Sequence, residues 1–157
     1  MRAAVVTVST RAAAGVYADD AGPAVAEVLR EAGFSVGDVT VVPDGRAGVA
    51  AAIVQACAGA DLVVTNGGTG LHPKDLTPEA TLDVVDRLAP GIAEAMRAAS
   101  LAVTPMAMLS RAVAGIRGQT LIVNLPGSPK GAVENLHAVL PVLRHAVDQL
   151  HGGDHAR

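Results

Sequence analysis

Hydrophobic positions along this chain come in runs whose type changes at regular intervals. Ala3 to Val8 is an apolar-rich run of strand length; Pro23 to Ala32 then spaces Ala24, Val25, Val28 and Leu29 along one helical face and stops at Gly33. Phe34 to Val42 reads as a second strand, Arg46 to Ala58 as a second helix, and Asp61 to Thr65 as a third strand. Farther on, Thr77-Pro78-Glu79 has the signature of a helix start, with a hydroxyl, a proline and an acid in order, and predicts a helix to about Arg87. Pro90 to Leu101 is helical by pattern, Met106 to Ile116 is ambiguous, and Thr120 to Leu125 is a strand. Ser128-Pro129 repeats the helix-start signature, and the last helix runs toward Leu150 with Pro141 expected to kink or split it. Strands that are apolar throughout, set between helices, need cover on both faces. The pattern therefore predicts an α/β fold: a single three-layer domain over residues 1–151 with a mostly parallel sheet flanked by helices, and a flexible tail at 152–157.

Composition narrows the class of partner. The 157 residues carry a formal charge of −3, which supplies no basic field for nucleic acid, and Tyr17 and Phe34 are the only aromatics on which a base could stack. The opening apolar run is too short for a signal peptide or a membrane span, so a soluble protein with no membrane contact is expected. Cys57 is the sole cysteine, which rules out an internal disulfide and fits a reducing cytoplasm. Only two lysines occur, Lys74 and Lys130, and each stands in a loop containing proline and glycine.

In a doubly wound sheet, ligands bind beyond the carboxyl ends of the strands, and three predicted loops there carry candidate chemistry. The first is Thr65-Asn66-Gly67-Gly68-Thr69-Gly70 with Lys74 and Asp75 behind it. Its glycines either make a tight turn or let backbone N–H groups cradle a phosphate; neither the Walker nor the dinucleotide spacing is present. Asp75 beside a phosphate would be repelled by about 4 kcal/mol per charge pair at ~4 Å and an effective dielectric of about 20. A Mg²⁺ ion could bridge the two, with Lys74 adding charge; the alternative is that Asp75 only caps the turn. The second loop, Pro43-Asp44-Gly45, is first of all a turn signal, yet it would bring Asp44 to the same sheet edge as Asp75. The third, Asn124-Leu125-Pro126-Gly127-Ser128-Pro129-Lys130, could receive an anion or a polar ring or serve only to start a helix. Ser9-Thr10-Arg11, Asp19-Asp20 and Ser110-Arg111 suit a substrate-facing surface but equally a solvated one. His72 reads as a solvated loop residue, Cys57 as a buried small hydrophobe, and His137, His145, His151 and His155 lack metal-ligand spacing.

Taken together, Thr65 to Gly70, Asp75, Thr77-Pro78-Glu79-Ala80, Leu109-Ser110-Arg111 and Asn124-Leu125-Pro126-Gly127-Ser128-Pro129 resemble the signature of the molybdenum cofactor biosynthesis proteins of the MogA/MoaB type over almost the whole chain. That resemblance implies a molybdopterin-binding α/β domain, usually a homotrimer, that adenylylates molybdopterin with MgATP and releases pyrophosphate. It implies catalytic and Mg²⁺-holding roles for Asp44 and Asp75. Phosphate and nucleotide contacts fall to Thr65, Gly67, Gly68, Thr69, Gly70 and Lys74, and the pterin side to Ser9, Arg11, Ser110, Arg111, Asn124, Pro126, Gly127 and Ser128. A non-catalytic molybdopterin carrier is the alternative, against which the retention of both acids speaks. Two positions depart from the family pattern: many relatives carry an acid where Thr10 stands, and arginine is commoner at Lys74.

Overall fold

The computed structural model describes residues 1–153, so most of the predicted tail, and His155 within it, lies outside the described residues. The strands are β1 (Arg2–Val8), β2 (Ser35–Val36), β3 (Thr40–Val42), β4 (Leu62–Asn66), β5 (Arg87–Leu88), β6 (Ala114–Arg117) and β7 (Thr120–Leu125). The helices are α1 (Thr10–Ala13), α2 (Ala21–Glu31), α3 (Arg46–Cys57), α4 (Thr77–Leu82), α5 (Pro90–Leu101) and α6 (Pro129–Leu150), with a 3₁₀ turn at Pro105–Leu109. They build one mixed sheet in the order β2-β1-β4-β7-β6-β5, with β3 also paired to β1. β1, β2, β3, β4 and β7 are parallel, whereas β6 runs against β7 and β5 against β6.

Alternate residues of the central strands enter two separate cores. Val5, Val64 and Val123 pack with α2, α5 and α6, while Val6, Val63 and Ile122 pack with Val49 and Ile53 of α3 and Ala80 of α4. Burial on both sides is the physical reason these strands read as continuous apolar runs. Register then sets the functional edge. Thr7 lies opposite Asn66, Asn66 opposite Leu125, and Val8 opposite Val42, so the chain leaves β1, β3, β4 and β7 at one level.

Three predicted elements differ. The second strand is broken: Val36 pairs with Ala3 and Thr40 with Val6, so four steps on one strand match three on the other, and the extra residue is a bulge around Gly37. The helix from Thr77 ends at Leu82, because Arg87–Leu88 is drawn into pairing with β6. Pro141 neither splits α6 nor ends it; Pro141 is exposed, where water can satisfy the carbonyl one turn back that loses its N–H partner.

Candidate functional site

The loop after β4 passes between the loops after β1 and β7 at very short range. Gly67 has φ +103°, and a Cβ there would sit 2.2 Å from the Val8 carbonyl oxygen. Gly68 has φ +64°, and its Cβ would meet the buried Thr77 hydroxyl at 2.4 Å. Only glycine satisfies both the left-handed backbone and the missing space. The Gly67 N–H donates to the Leu125 carbonyl at 3.1 Å, the Thr77 N–H donates to the Gly68 carbonyl at 3.1 Å, and Gly127 lies against the Gly67 Cα. The Thr77 N–H, held this way, is the first of α4 rather than belonging to a cap, so the predicted hydroxyl cap at Thr77 is not formed; Leu76 occupies the cap position.

Behind the glycines, Arg111 braces the loop. Its backbone N–H donates to the Thr69 carbonyl at 2.9 Å and its Nε donates to the Gly70 carbonyl at 2.8 Å. The two terminal nitrogens reach the Asp75 carbonyl and the Glu79 carboxylate. The hydrogen bond from Arg111 holds the Glu79 carboxyl below the usual carboxylate range, and the same bond raises Arg111. With its donors directed at the loop, Arg111 is structurally a strut. Thr65 and Asn124 likewise lie beneath the site: both are fully buried, and Asn124 Nδ2 donates to the hydroxyls of Thr65 (3.0 Å) and Thr81 (2.9 Å).

The remaining predicted residues fall into two hollows on either side of the glycine loop. The first, a cleft of about 430 Å³, brings together Ser9, Arg11, Asp44, Gly67, Gly68 and Asp75, with Gly127 at its rim. Asp44 is held by Thr10, whose N–H (2.9 Å) and hydroxyl (2.6 Å) both donate to Oδ2, while the Asp44 N–H donates back to the Thr10 hydroxyl oxygen at 3.0 Å. Asp75 accepts at Oδ2 from the His72 N–H at 3.3 Å. Each acid keeps its Oδ1 without a partner among the described residues. The second hollow, of about 320 Å³, is lined by Thr69, Gly70, Ser110, Pro126 and Ser128 against apolar walls that include Met106 and Leu109. Ser128 caps α6, its Oγ accepting from the Gly131 N–H at 3.2 Å. Lys74 lines neither hollow; it is exposed in a separate recess beside Asp44 with Thr10 and Pro43.

Thr10 and Asp19, which the sequence placed on a surface either substrate-facing or solvated, also line the cleft, as does Tyr17, which no motif nominates. Thr10 is a departure from the family pattern, and in this chain its hydroxyl donates to Asp44. A larger hollow, about 680 Å³, lies at the opposite end of the sheet beside Cys57 and Arg117, away from every one of these residues. Among the described residues no group of three or more His, Cys, Asp or Glu could hold a metal ion. No helix of the described residues is long and apolar enough to cross a membrane.

A largely parallel sheet whose carboxyl edge carries an acid-lined cleft and a second, mainly apolar hollow on either side of a glycine loop defines a class of ligand-binding α/β domains. Residues 4–145 match the family described as "Probable molybdopterin binding domain", and the chain belongs to it, within molybdenum cofactor biosynthesis. It is 43% identical over 152 residues to the molybdopterin adenylyltransferase of Helicobacter pylori strain J99, covering 94% of this chain and 86% of the relative. The molybdopterin adenylyltransferase of Escherichia coli K12 is 42% identical, covering 88% and 73%. The crystal structure of the molybdopterin biosynthesis enzyme MoaB from Thermus thermophilus superposes with a TM-score of 0.90 at 50% identity and 96% coverage of both chains.

Proposed function

We infer that this protein is a molybdopterin adenylyltransferase: the terminal phosphate of molybdopterin attacks the α-phosphorus of ATP, a new P–O bond forms, and the α–β anhydride bond breaks to release pyrophosphate. The observation that carries this reading is the meeting of Asp44 and Asp75, from loops after different strands, in one cleft with Gly67 and Gly68. Relatives bearing that activity in their names support it over the carrier alternative.

Charge in the cleft supports a divalent ion. Asp19, Asp20, Asp44 and Asp75 face it with Arg11 as the only cation among the described residues, so an anionic substrate without an accompanying cation would be repelled. Mg²⁺ usually takes one or two carboxylates and completes its shell with phosphate oxygens and water; Asp44 and Asp75, each with an unengaged Oδ1, fit that need. When bound, the ion supplies neutralisation of phosphate charge and polarisation of the transferring group. This chain's own part is positioning. Thr10 fixes the Asp44 carboxylate, the Arg111 brace fixes the backbone around Asp75, and the glycine loop brings main-chain atoms close to the reacting phosphates. No covalent nucleophile is required. The mainly apolar second hollow, with Ser110, Pro126 and Ser128, suits the pterin ring.

A homotrimer, as the family resemblance implies, would offer cover to the exposed Met108 (70%), which lines neither hollow. A cytoplasmic setting accords with the single free Cys57. The test is incubation with MgATP and molybdopterin, measuring pyrophosphate and adenylyl-molybdopterin together; tight pterin binding without either product would sink the enzyme reading.

A further inference from the structure

Arg11 is the one cation among the described residues lining the cleft, and it shares that cleft with four carboxylates. Three of these are already engaged, Asp75 through the His72 N–H at 3.3 Å. Asp44 is bonded to Thr10, and Asp19 accepts from the Thr7 hydroxyl at 2.7 Å and from the Gly22 N–H at 3.0 Å. An arginine among acids ordinarily closes onto one of them in a charge-assisted hydrogen bond. Arg11 forms no ion pair or hydrogen bond from its guanidinium to any described residue; the guanidinium carbon lies 4.8 Å from the centroid of the Tyr17 ring.

The ring is itself held in place. The Tyr17 hydroxyl and Ser9 Oγ are hydrogen-bonded at 2.8 Å, and Ser9 Oγ also accepts from the Ala12 N–H at 3.2 Å, capping the short helix that carries Arg11. Tyr17 is 46% exposed in the cleft wall, whereas Phe34, the only other aromatic, is buried in the core. A guanidinium stacked on a ring engages its flat face and keeps its in-plane fork of N–H donors available.

We propose that Arg11, held over the face of Tyr17, is the phosphate anchor of this cleft, and that Tyr17 is the positioning residue that keeps its donor fork from closing on the neighbouring acids. The ligand chemistry is a tetrahedral phosphate oxyanion, met bidentately. Two sources present it, the triphosphate of the nucleotide and the terminal phosphate of molybdopterin. Ser9 acts through Tyr17 and not on the ligand. The inference rests on the reading that the cleft takes a phosphorylated substrate.

The experiment titrates the full-length protein, in excess Mg²⁺, with pyrophosphate, with a non-hydrolysable ATP analogue and with molybdopterin, following heat and tyrosine emission. With one tyrosine and no tryptophan, emission reports this position alone. Arg11→Gln should weaken pyrophosphate binding by about tenfold or more and abolish the emission change. Arg11→Lys should rescue little, since a point charge lacks the fork. Tyr17→Leu should lose affinity with an unchanged melting temperature, and Tyr17→Phe, read by calorimetry, should restore it because the ring face is kept. If Arg11→Gln loses only the ATP analogue, the anchored phosphate is the nucleotide's; if only molybdopterin, it is the pterin's. Wild-type affinity of Arg11→Gln for all three probes would overturn the anchor, as would failure of the wild type to bind any. Wild-type affinity in Tyr17→Leu would overturn the positioning role. Arg11-dependent binding in a protein that forms no adenylyl product would count against the proposed activity and leave this inference standing.

Discussion

Replacing Arg111 by methionine keeps an apolar stem of similar length and removes the guanidinium that braces the glycine loop. The carbonyls of Gly70 and Asp75 lose their donor, and Glu79 loses its charged partner. Each carbonyl hydrogen bond contributes about 1 kcal/mol net, and an ion pair whose side chains remain 34% and 29% exposed adds roughly 1 kcal/mol after solvent screening, for a loss of about 3 kcal/mol. For a chain of this size that lowers Tm by roughly 6–12 °C. Glu79→Gln keeps a neutral acceptor and should cost only about 1 kcal/mol, or roughly 2–4 °C. The pH dependence follows from the direction of the Glu79 shift. Its carboxyl titrates lower in the folded than in the unfolded chain, so its contribution is complete above the unfolded value and is lost as pH falls through the folded one. The gap in Tm between wild type and Glu79→Gln should therefore be widest near neutral pH and close in acid. Thermal melts at several pH values, with hydrogen exchange read across residues 66–76, test this directly. A melting temperature for Arg111→Met within about 1 °C of wild type, with unchanged exchange in the loop, would refute the brace.

Asp75→Asn should lower AMP transfer by about 10²-fold or more while molybdopterin affinity stays within about twofold, measured by product formation and calorimetry; normal turnover would refute its role. Thr10→Val leaves Asp44 without the hydroxyl that donates to it and should reduce kcat about tenfold, with Thr10→Ser close to wild type; equal rates for valine and serine would dismiss the contact. Gly67→Ala places a methyl 2.2 Å from the Val8 carbonyl in a left-handed backbone, and should destabilise the fold by about 2–4 kcal/mol in urea unfolding, whereas Gly48→Ala, inside α3 where the space is open, should leave stability unchanged or raise it by up to about 1 kcal/mol. Chelating Mg²⁺ should abolish binding of the ATP analogue while leaving the melting temperature of the free protein unchanged, since the acids in the cleft make their structural hydrogen bonds to protein donors.

Much of the scaffold is legible in one dimension because local physics decides it. Leu62 to Thr65 is apolar at nearly every position, which only a strand buried on both faces requires, and Pro90 to Leu101 keeps one helical stripe to its end. Elements whose existence depends on a partner far along the chain are not legible. Arg87–Leu88 is a strand because β6 lies beside it, and the break at Gly37 is visible only against the register of β1. Neither feature leaves a trace in local periodicity.

The same division runs through the site. Sequence alone determined which strand end each candidate residue follows: the glycines, Asp44 and Asp75 stand in loops after separate apolar runs, and a parallel sheet must bring such loops to one edge. Tertiary structure alone decided what each side chain does there. It turned Arg111 inward as a strut, put Thr65 and Asn124 beneath the loop, left Lys74 outside the cleft, and made Thr10 and Tyr17 the supports of Asp44 and Arg11. The reason is range: a loop's position follows from the strand it leaves, whereas a side chain's partner comes from whatever the fold carries to within about 3 Å of it.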